Sequence, residues 1–166
     1  YSGMTVRLLP IFFSSASLFA LGISVACADP PRELVNDTFP SAQSELRETV
    51  MSIADDITTA NIKGLQASHL ESDMFTKFGP RKFERQNVND TNASEAAFFS
   101  SISNVNYRID DLKIDVFGEV GIVTYYPHVT FDKEGESKVV DGRQTLVFLR
   151  TDDGWKIVHE HGTVRP

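Results

Sequence analysis

Two histidines near the end of the chain are the residues best suited to acid–base chemistry. His159 and His161 flank Glu160 in a run that is otherwise typical of a β-strand. A histidine side chain exchanges its proton near neutral pH, and two imidazoles on one strand face can contact one small ligand. We therefore predict that His159 and His161 are catalytic residues.

A β-hairpin must position this pair. The runs 142–150 and 155–162 are both typical of strands, and Asp152-Asp153-Gly154 between them favours a three-residue turn in which Gly154 is left-handed. Directly paired residues share a face of the sheet. A two-residue loop would instead divide the histidine set between the two faces. The pairs predicted from the three-residue turn are Thr151 with Trp155, Leu149 with Ile157, Val147 with His159 and Thr145 with His161.

The predicted histidine face has an apolar floor and a polar end, as ligand pockets do. Arg143 lies at that end and favours a carboxylate or phenolate ligand. The residues predicted to bind the ligand are Arg143, Thr145, Tyr125, Tyr126, His128 and Trp155. The sequence equally allows the histidines to form a hydrogen-bonded polar patch of the core or of a subunit interface.

Metal and cofactor sites are not expected. A metal held by His159 and His161 lacks a carboxylate ligand on the same face, because Glu160 points the other way in an alternating strand. The sequence carries no glycine-rich phosphate loop, so we predict no nucleotide cofactor. Cys27 is the only cysteine, and the domain that follows it therefore lacks a thiolate nucleophile and a disulfide.

Composition indicates one ordinary globular domain. The chain has 166 residues, of which 41% are hydrophobic and 23% charged. Its formal net charge is −7 and it has no basic stripe, so nucleic acid and anionic membrane surfaces are not expected partners.

The N-terminal segment is predicted to direct export. Residues 1–3 precede Met4 and are interpreted as an expression scar, and residues 4–28 as a signal peptide. Arg7 supplies positive charge, an apolar run follows, and Ala26-Cys27-Ala28 fits a cleavage site. The predicted location is secreted or periplasmic, without membrane association after cleavage. The alternative is a lipoprotein acylated at Cys27.

The rest of the chain is predicted to be a flexible leader at 29–38 and an α+β domain at 39–166, with helices on one side of a curved antiparallel sheet. Asn92 with Glu95 is typical of a capping box, and Pro127 predicts a bulge or an edge position in its strand. The predicted helices are 39–62, 65–70 and 93–104, and the predicted strands are 73–78, 107–117, 120–131, 138–150 and 155–164, the last four forming a meander.

This order of elements resembles the SnoaL-like group of the nuclear transport factor 2-like superfamily, which has the cystatin-like fold. The hairpin motif Gly142-Arg143-x-Thr145-x-Val147, followed by Asp153-Gly154-Trp155-Lys156-Ile157-Val158-His159-x-His161, is similar to the branch related to the calcium/calmodulin-dependent kinase II association domain. The resemblance covers about residues 42–164. It implies helices lying across a curved sheet to form a cone with a pocket.

The resemblance implies several functions, because this fold carries many. The first expectation is a small-molecule-binding domain, with isomerase, dehydratase or cyclase activity on a small apolar or aromatic acid if it is an enzyme. The alternative is a non-catalytic assembly or interaction domain, and a homodimer is expected. The ketosteroid isomerase pattern is not assigned: Tyr125, Tyr126 and Asp73 are available, but their spacing fixes no triad.

Overall fold

The computed structural model describes residues 34–80 and 82–166. The predictions made for residues 1–33 therefore lie outside the described residues. The elements in chain order are α1 (Pro40–Thr58), α2 (Ile62–Ala67), β1 (Thr76–Phe78), α3 (Val88–Ser100), β2 (Ser103–Phe117), β3 (Val120–Lys133), β4 (Glu136–Thr151) and β5 (Gly154–Val164).

The five strands form one sheet in the order β1-β5-β4-β3-β2. Strands β2 to β5 form the predicted antiparallel meander, and β1 adds to the β5 edge in parallel. The side of the sheet that faces the helices is called the inner face, and the opposite side the outer face. The predicted α+β class is confirmed. None of the helices in the described part of the chain is long and apolar enough to span a bilayer.

Helix α1 packs on the inner face through the apolar stripe expected from its sequence. Ala42, Leu46, Val50 and Ile53 are buried in the core. Leu46 occupies the space that a side chain at Gly121 of β3 would need, so a glycine permits this close approach. Pro40 is the first residue of the helix, a position where the missing amide hydrogen of proline is not needed.

The starts of the helices differ from the predictions. The N-cap of α1 is Phe39, with a φ of 43°, and it makes no side-chain cap bond.

Helix α2 includes Gly64 and is capped by Asn61, whose side chain accepts a hydrogen bond from the Gly64 amide. Helix α3 is capped by Asn87, five residues before the predicted cap Asn92. The side-chain oxygen of Asn87 accepts the Asp90 N–H, so Asn92 lies inside the helix and its side chain is free to reach across to the segment after α2.

The final hairpin closes with a shorter turn than predicted. Thr151 pairs with Gly154, which leaves a two-residue loop, and Gly154 has a φ of 91° as a left-handed glycine. The predicted pairs Thr151–Trp155 and Leu149–Ile157 are therefore wrong. The pairs Val147–His159 and Thr145–His161 are confirmed, because Val158 forms a bulge that restores the register.

The Val158 bulge reverses the alternation of side chains along β5. Before it, Trp155 and Ile157 are buried in the core. After it, Glu160 is buried on the inner side, and the paired residues His159 and His161 lie on the outer face. The predicted single face from Trp155 to His161 is therefore wrong, because one extra residue shifts a two-residue period by half.

Pro127 lies in β3, which has β2 and β4 as neighbours and is therefore not an edge strand. A bulge does occur nearby, but it lies in the neighbouring strand β2, whose register shifts between Asp110 and Lys113. The ladder to β4 passes over Tyr126 and Pro127, as expected where proline lacks an amide hydrogen. The predicted edge or bulge at Pro127 itself is wrong.

Candidate functional site

A cavity of about 380 Å³ lies between the helices and the inner face of the sheet. Most of its wall is apolar, and a few polar groups converge on one side, as is usual for small-molecule sites. Phe98 of α3 stacks edge-on against Phe131 of β3 at a centroid distance of 5.5 Å and forms part of the aromatic wall. The polar lining includes Lys77, Gln86, Glu95, Tyr107, Tyr125, Gln144 and Glu160.

Lys77 joins two carboxylates at the polar side. It is the direct partner of Glu160 in the β1–β5 ladder, and paired residues share a face, so both point inward. Its ammonium lies 2.8 Å from Glu160 Oε2 and 2.5 Å from Glu95 Oε1. Glu95 reaches this point from the third turn of α3. Each of these charges is thereby paired, as burial requires.

His69 holds the other oxygen of Glu160. The segment after α2 pairs with Ile157 through the hydrogen bonds of the backbone on either side of His69, and this places His69 beside β5. Its Nε2 lies 2.9 Å from Glu160 Oε1, and its Nδ1 lies 2.8 Å from Asn92 Oδ1. Both ring nitrogens face oxygen acceptors. The doubly protonated imidazolium is therefore the form that satisfies both contacts.

The shifts in pKa follow from these contacts. Burial alone would lower the pKa of His69, but the hydrogen bond and charge of Glu160, helped by Glu95, raise it above its ordinary value. Burial alone would raise the pKa of Glu160, but the Lys77 charge and the His69 hydrogen bond hold it well below its usual range. Lys77 and His69 therefore favour the ionised form of Glu160.

Glu95 has a different environment from Glu160. Its Oε2 is buried and has no hydrogen-bond partner among the described residues. His69 Nε2 lies 3.9 Å from this oxygen, beyond hydrogen-bonding distance. Burial raises the pKa of Glu95, and the nearby Glu160 charge adds to the effect, while Lys77 opposes it. Of the two glutamates, Glu95 is thus the one whose pKa is raised and which accepts a proton more readily.

Two tyrosine hydroxyls face the same cavity. Tyr107 of β2 and Tyr125 of β3 are 3.0 Å apart at their oxygens. Burial raises the pKa of Tyr107 to about 12 and holds that of Tyr125 well above its ordinary value, so both remain protonated. One proton joins the two oxygens, and the second can be donated to a ligand.

His69, Glu95 and Glu160 also form a cluster of the kind that can bind a metal, with ligand atoms within 4.8 Å of one another. The ammonium of Lys77 lies between the two carboxylates and supplies their positive partner. In this arrangement the Lys77 ammonium supplies the positive charge that a bound metal ion would supply. A metal would have to displace it against the attraction of both glutamates.

The structure separates the residues predicted from the sequence. Tyr125 lines the cavity, whereas Trp155 is part of the buried core. His159 and His161 lie on the outer face with Thr145, where His159 Nδ1 bonds the Thr76 hydroxyl at 2.8 Å.

His128 also lies outside the cavity and contacts Asp141 at 2.7 Å. The histidine pair and Thr145 share one face as predicted, but Trp155 is on the opposite face, because the prediction assumed an unbroken alternation along β5. None of the residues His128, Thr145, Trp155, His159 and His161 lines the inner cavity.

Arg143 and Tyr126 line a separate groove of about 460 Å³ near the end of the described chain. Asp110 and Asp141 line it as well, so its charge is mixed. The predicted common face of Arg143, Thr145, His159 and His161 is confirmed by the β4–β5 register. This face is the outer one, so Arg143 does not line the inner cavity.

Several site residues were not identified from the sequence, although some signals for them exist. Lys77 alternates with Phe75 in a short strand and so shares its inward face. Glu95 was interpreted as half of a capping box. No local pattern brings His69, Lys77, Glu95 and Glu160 together, because they lie in four separate segments of the chain.

The sequence profile of the SnoaL-like domain matches residues 46–165, and the chain therefore belongs to this family. No functionally curated protein matches the sequence. Solved structures share the nuclear transport factor 2-like, or cystatin-like, fold. A superfamily member from Salmonella enterica serovar Typhimurium LT2 has a TM-score of 0.70 and 18% identity, over 76% of this chain and 93% of that one.

Two further structures carry functional descriptions. A candidate dehydratase of the nuclear transport factor 2-like family from Streptomyces avermitilis has a TM-score of 0.69 and 15% identity, over 76% of this chain and 97% of that one. A candidate calcium/calmodulin-dependent protein kinase II association domain from Xanthomonas campestris has a TM-score of 0.63 and 15% identity, over 74% and 86%. At such identities the likeness establishes the fold alone.

Proposed function

We propose that this protein binds a small, largely apolar molecule in the inner cavity and that Glu95 transfers a proton to or from it. The observation that carries the proposal is that Glu95 lines an apolar cavity and that one oxygen of its carboxylate, Oε2, is buried without a hydrogen-bond partner among the described residues. A cofactor-independent isomerase or lyase fits this arrangement. The structural likeness to a candidate dehydratase supports the same reaction class.

The two glutamates support different roles. Their environments move their pKa values in opposite directions, downward for Glu160 and upward for Glu95. Such a division is typical of sites in which one carboxylate provides charge and the other exchanges a proton. Glu160 fixes Lys77 and His69, and Glu95 acts as the general acid or base. The hydroxyl pair of Tyr107 and Tyr125 can stabilise negative charge that develops on a substrate oxygen.

A base-sensitive reporter tests the role of Glu95. Removal of the ring C–H proton of 5-nitrobenzisoxazole breaks its N–O bond and releases a coloured cyanonitrophenolate. We expect the wild type to catalyse this elimination and Glu95→Gln to be about 100-fold slower. Glu48→Gln, at an exposed position of α1, is the matched control and should keep the wild-type rate. Equal rates in wild type and Glu95→Gln would contradict the proposal.

Substitutions at two adjacent valines test whether the reaction takes place in the inner cavity. Val140 lines the cavity, whereas the side chain of Val139 is 61% exposed on the other side of β4. Val140→Phe should fill the cavity and raise the KM of the reporter, and Val139→Phe should not. A reaction that is unaffected by Val140→Phe would place the chemistry elsewhere.

We also propose that the protein forms homodimers through the outer patch, defined as Thr76, Phe78, Ile122, Thr145, Val147, His159 and His161. Cross-strand pairs join these residues across four strands, from Ile122–Val147 to Val147–His159 and Thr76–His159. The patch has no carboxylate, lysine or arginine, and Phe78 and Ile122 expose 39% and 36% of their surface. A self-complementary sheet face suits a two-fold dimer. The likeness to a candidate association domain supports this assembly.

The oligomeric state tests the outer patch. We expect the wild type to be a dimer by light scattering and Val147→Glu to be a monomer, because two glutamates would face each other near the axis. Val139→Glu changes an exposed valine outside the patch and should remain dimeric. A monomeric wild type at high concentration would contradict the proposal.

We further propose that the chain is exported, on the sequence pattern of residues 4–28. The mass of the protein recovered from its native host should correspond to a start at Asp29, or to an acylated Cys27. Recovery of a chain that retains Met4 would contradict export with cleavage.

A further inference from the structure

The mouth of the inner cavity carries one charged residue. Most of the described residues that line the cavity are buried or half-buried, and the exposed ones among them are Pro80, Lys82 and Val164. An exposed residue in a cavity wall lies where the cavity meets solvent, so these three mark its mouth. Of the three, only Lys82 is charged.

Lys82 has no partner for its charge in the part of the chain that the structure describes. The other charged residues of the lining, Lys77, Glu95 and Glu160, are paired with one another. None of the ion pairs among the described residues includes Lys82. The mouth therefore presents an unpaired ammonium beside an apolar space.

The charge of the whole site favours a negative ligand. Lys77 and doubly protonated His69 balance the two glutamates when both are ionised. Lys82 adds one positive charge to this balance, and protonation of Glu95 would add another. The segment 81–85 has three basic residues and one acidic residue, although the whole chain has a formal net charge of −7. Anions are therefore attracted to this mouth.

We propose that the cavity binds small aromatic carboxylates as anions, with the rings inside and the carboxylate at the mouth against Lys82. This inference rests on the proposed function, since it names the ligand class of the same cavity and the orientation of the ligand. A carboxylate placed deeper would lie beside Glu95 and Glu160, and it would lose water without gaining an unpaired cation. At the mouth it keeps part of its hydration and gains the Lys82 charge.

The interior suits the rings of such a ligand. Phe98, Phe99 and Phe131 from one side, and Ile53 and Leu146 from others, surround the space with apolar surface. A volume of about 380 Å³ lies near the lower end of the roughly 300–1,000 Å³ range of small-molecule sites. One or two rings fit this range better than a four-ring skeleton.

Calorimetric titration with 2-naphthoate and 2-naphthalenemethanol tests the ligand class. The two probes share a ring system and differ in charge. We expect the wild type to bind naphthoate about fivefold more tightly than the alcohol at low ionic strength, as one partly exposed ion pair allows. The preference should shrink at about 1 M salt, where the Debye length falls to about 3 Å.

Substitutions of Lys82 test the orientation. Lys82→Gln should bind naphthoate about fivefold more weakly than the wild type and the alcohol equally well, because only the charge at the mouth is removed. Lys82→Arg should keep the preference. Lys63→Gln is the matched control, since Lys63 is an exposed lysine of α2 that does not line the cavity. A preference for naphthoate that persists in Lys82→Gln, or that falls equally in Lys63→Gln, would overturn the inference.

Failure of the inference and failure of the proposed function give different results. If the wild type binds the alcohol as tightly as naphthoate, and Val140→Phe weakens the binding of both, the cavity is a small-molecule site but its preference for carboxylates is disproved. If neither probe binds the wild type, the inference is disproved. If 5-nitrobenzisoxazole also reacts equally with the wild type and Glu95→Gln, the proposed function fails too.

Discussion

Two histidine–carboxylate pairs of similar length lie on opposite faces of this sheet. His69 and Glu160 are 2.9 Å apart on the inner side, and His128 and Asp141 are 2.7 Å apart on the outer side. The side chains of the inner pair are 0% and 8% exposed, and those of the outer pair 29% and 50%. The two pairs therefore contribute differently to the stability of the fold, although their distances are similar. Water screens the charges of the outer pair, whereas the buried inner pair needs Lys77 and Asn92 as additional partners.

The largest change in the free energy of unfolding is expected from a single-residue deletion in β5, because β5 sets which residues face the inner side. Without Val158 the strand alternates regularly, so Trp155 and Ile157 stay inside with Glu160, and we expect a loss of about 1–2 kcal/mol. Without Lys156, either Trp155 or Ile157 must leave the core, and we expect a loss of about 5 kcal/mol or more. Urea unfolding measures both. Equal losses would show that the bulge does not set the inward face.

Removal of each carboxylate compares the pairs directly. Glu160→Ala leaves Lys77 and His69 as buried charges that have lost their main partner, and should reduce the free energy of unfolding by about 3–5 kcal/mol. Asp141→Ala removes an exposed pair and should cost about 1 kcal/mol or less. Similar values for the two variants by chemical denaturation would show that the inner cluster is open to water.

Replacement of each histidine compares their pH dependence. His69→Gln should cost about 1–3 kcal/mol at pH 6, since it removes a buried, charged hydrogen bond. Because the pKa of His69 is raised on folding, its stabilisation is fully present below pH 6.5 and is lost as the pH rises through the raised value. The difference between wild type and His69→Gln should therefore shrink towards pH 9. His128→Gln is the outer-face control, and its difference from wild type should stay below about 1 kcal/mol.

The smallest effect is expected at His161. This residue is exposed and its ring lies 6.0 Å from that of Phe78. His161→Ala should change the stability of the folded subunit by about 0.5 kcal/mol or less, and the rate of 5-nitrobenzisoxazole elimination not at all. A slower elimination in this variant would show that the outer histidines take part in the reaction.

Most of the architecture could be predicted from local patterns. The apolar stripe of α1, the four long strands and the turns at Gly118, Gly135 and Gly154 depend on neighbouring residues, and the strand bounds agree to within a few residues. The helix starts were less predictable. Asn87 and Asn92 are both suitable caps, and only the competition between them decides where α3 begins.

The site could be predicted only in part. Tyr125 and Tyr126 were both predicted to bind the ligand, because alternation puts them on opposite faces without indicating which face is the inner one; only Tyr125 lines the cavity. The histidine pair was assigned to the wrong face because the sequence of β5 does not indicate a bulge at Val158. The charged cluster beside the cavity, Lys77, Glu95, Glu160 and His69, comes from β1, α3, β5 and the segment after α2, and its assembly depends on long-range packing.

The sequence by itself determined the kind of fold, since helix periodicity, strand alternation and turn glycines act over a few residues. Only the tertiary structure decided which end of which strand became the site. The extra residue at Val158 turns Glu160 inward, the parallel pairing of β1 places Lys77 opposite it, and α3 brings Glu95 over both. These are contacts between distant segments, and a buried charge finds its partners only when all of them have folded together.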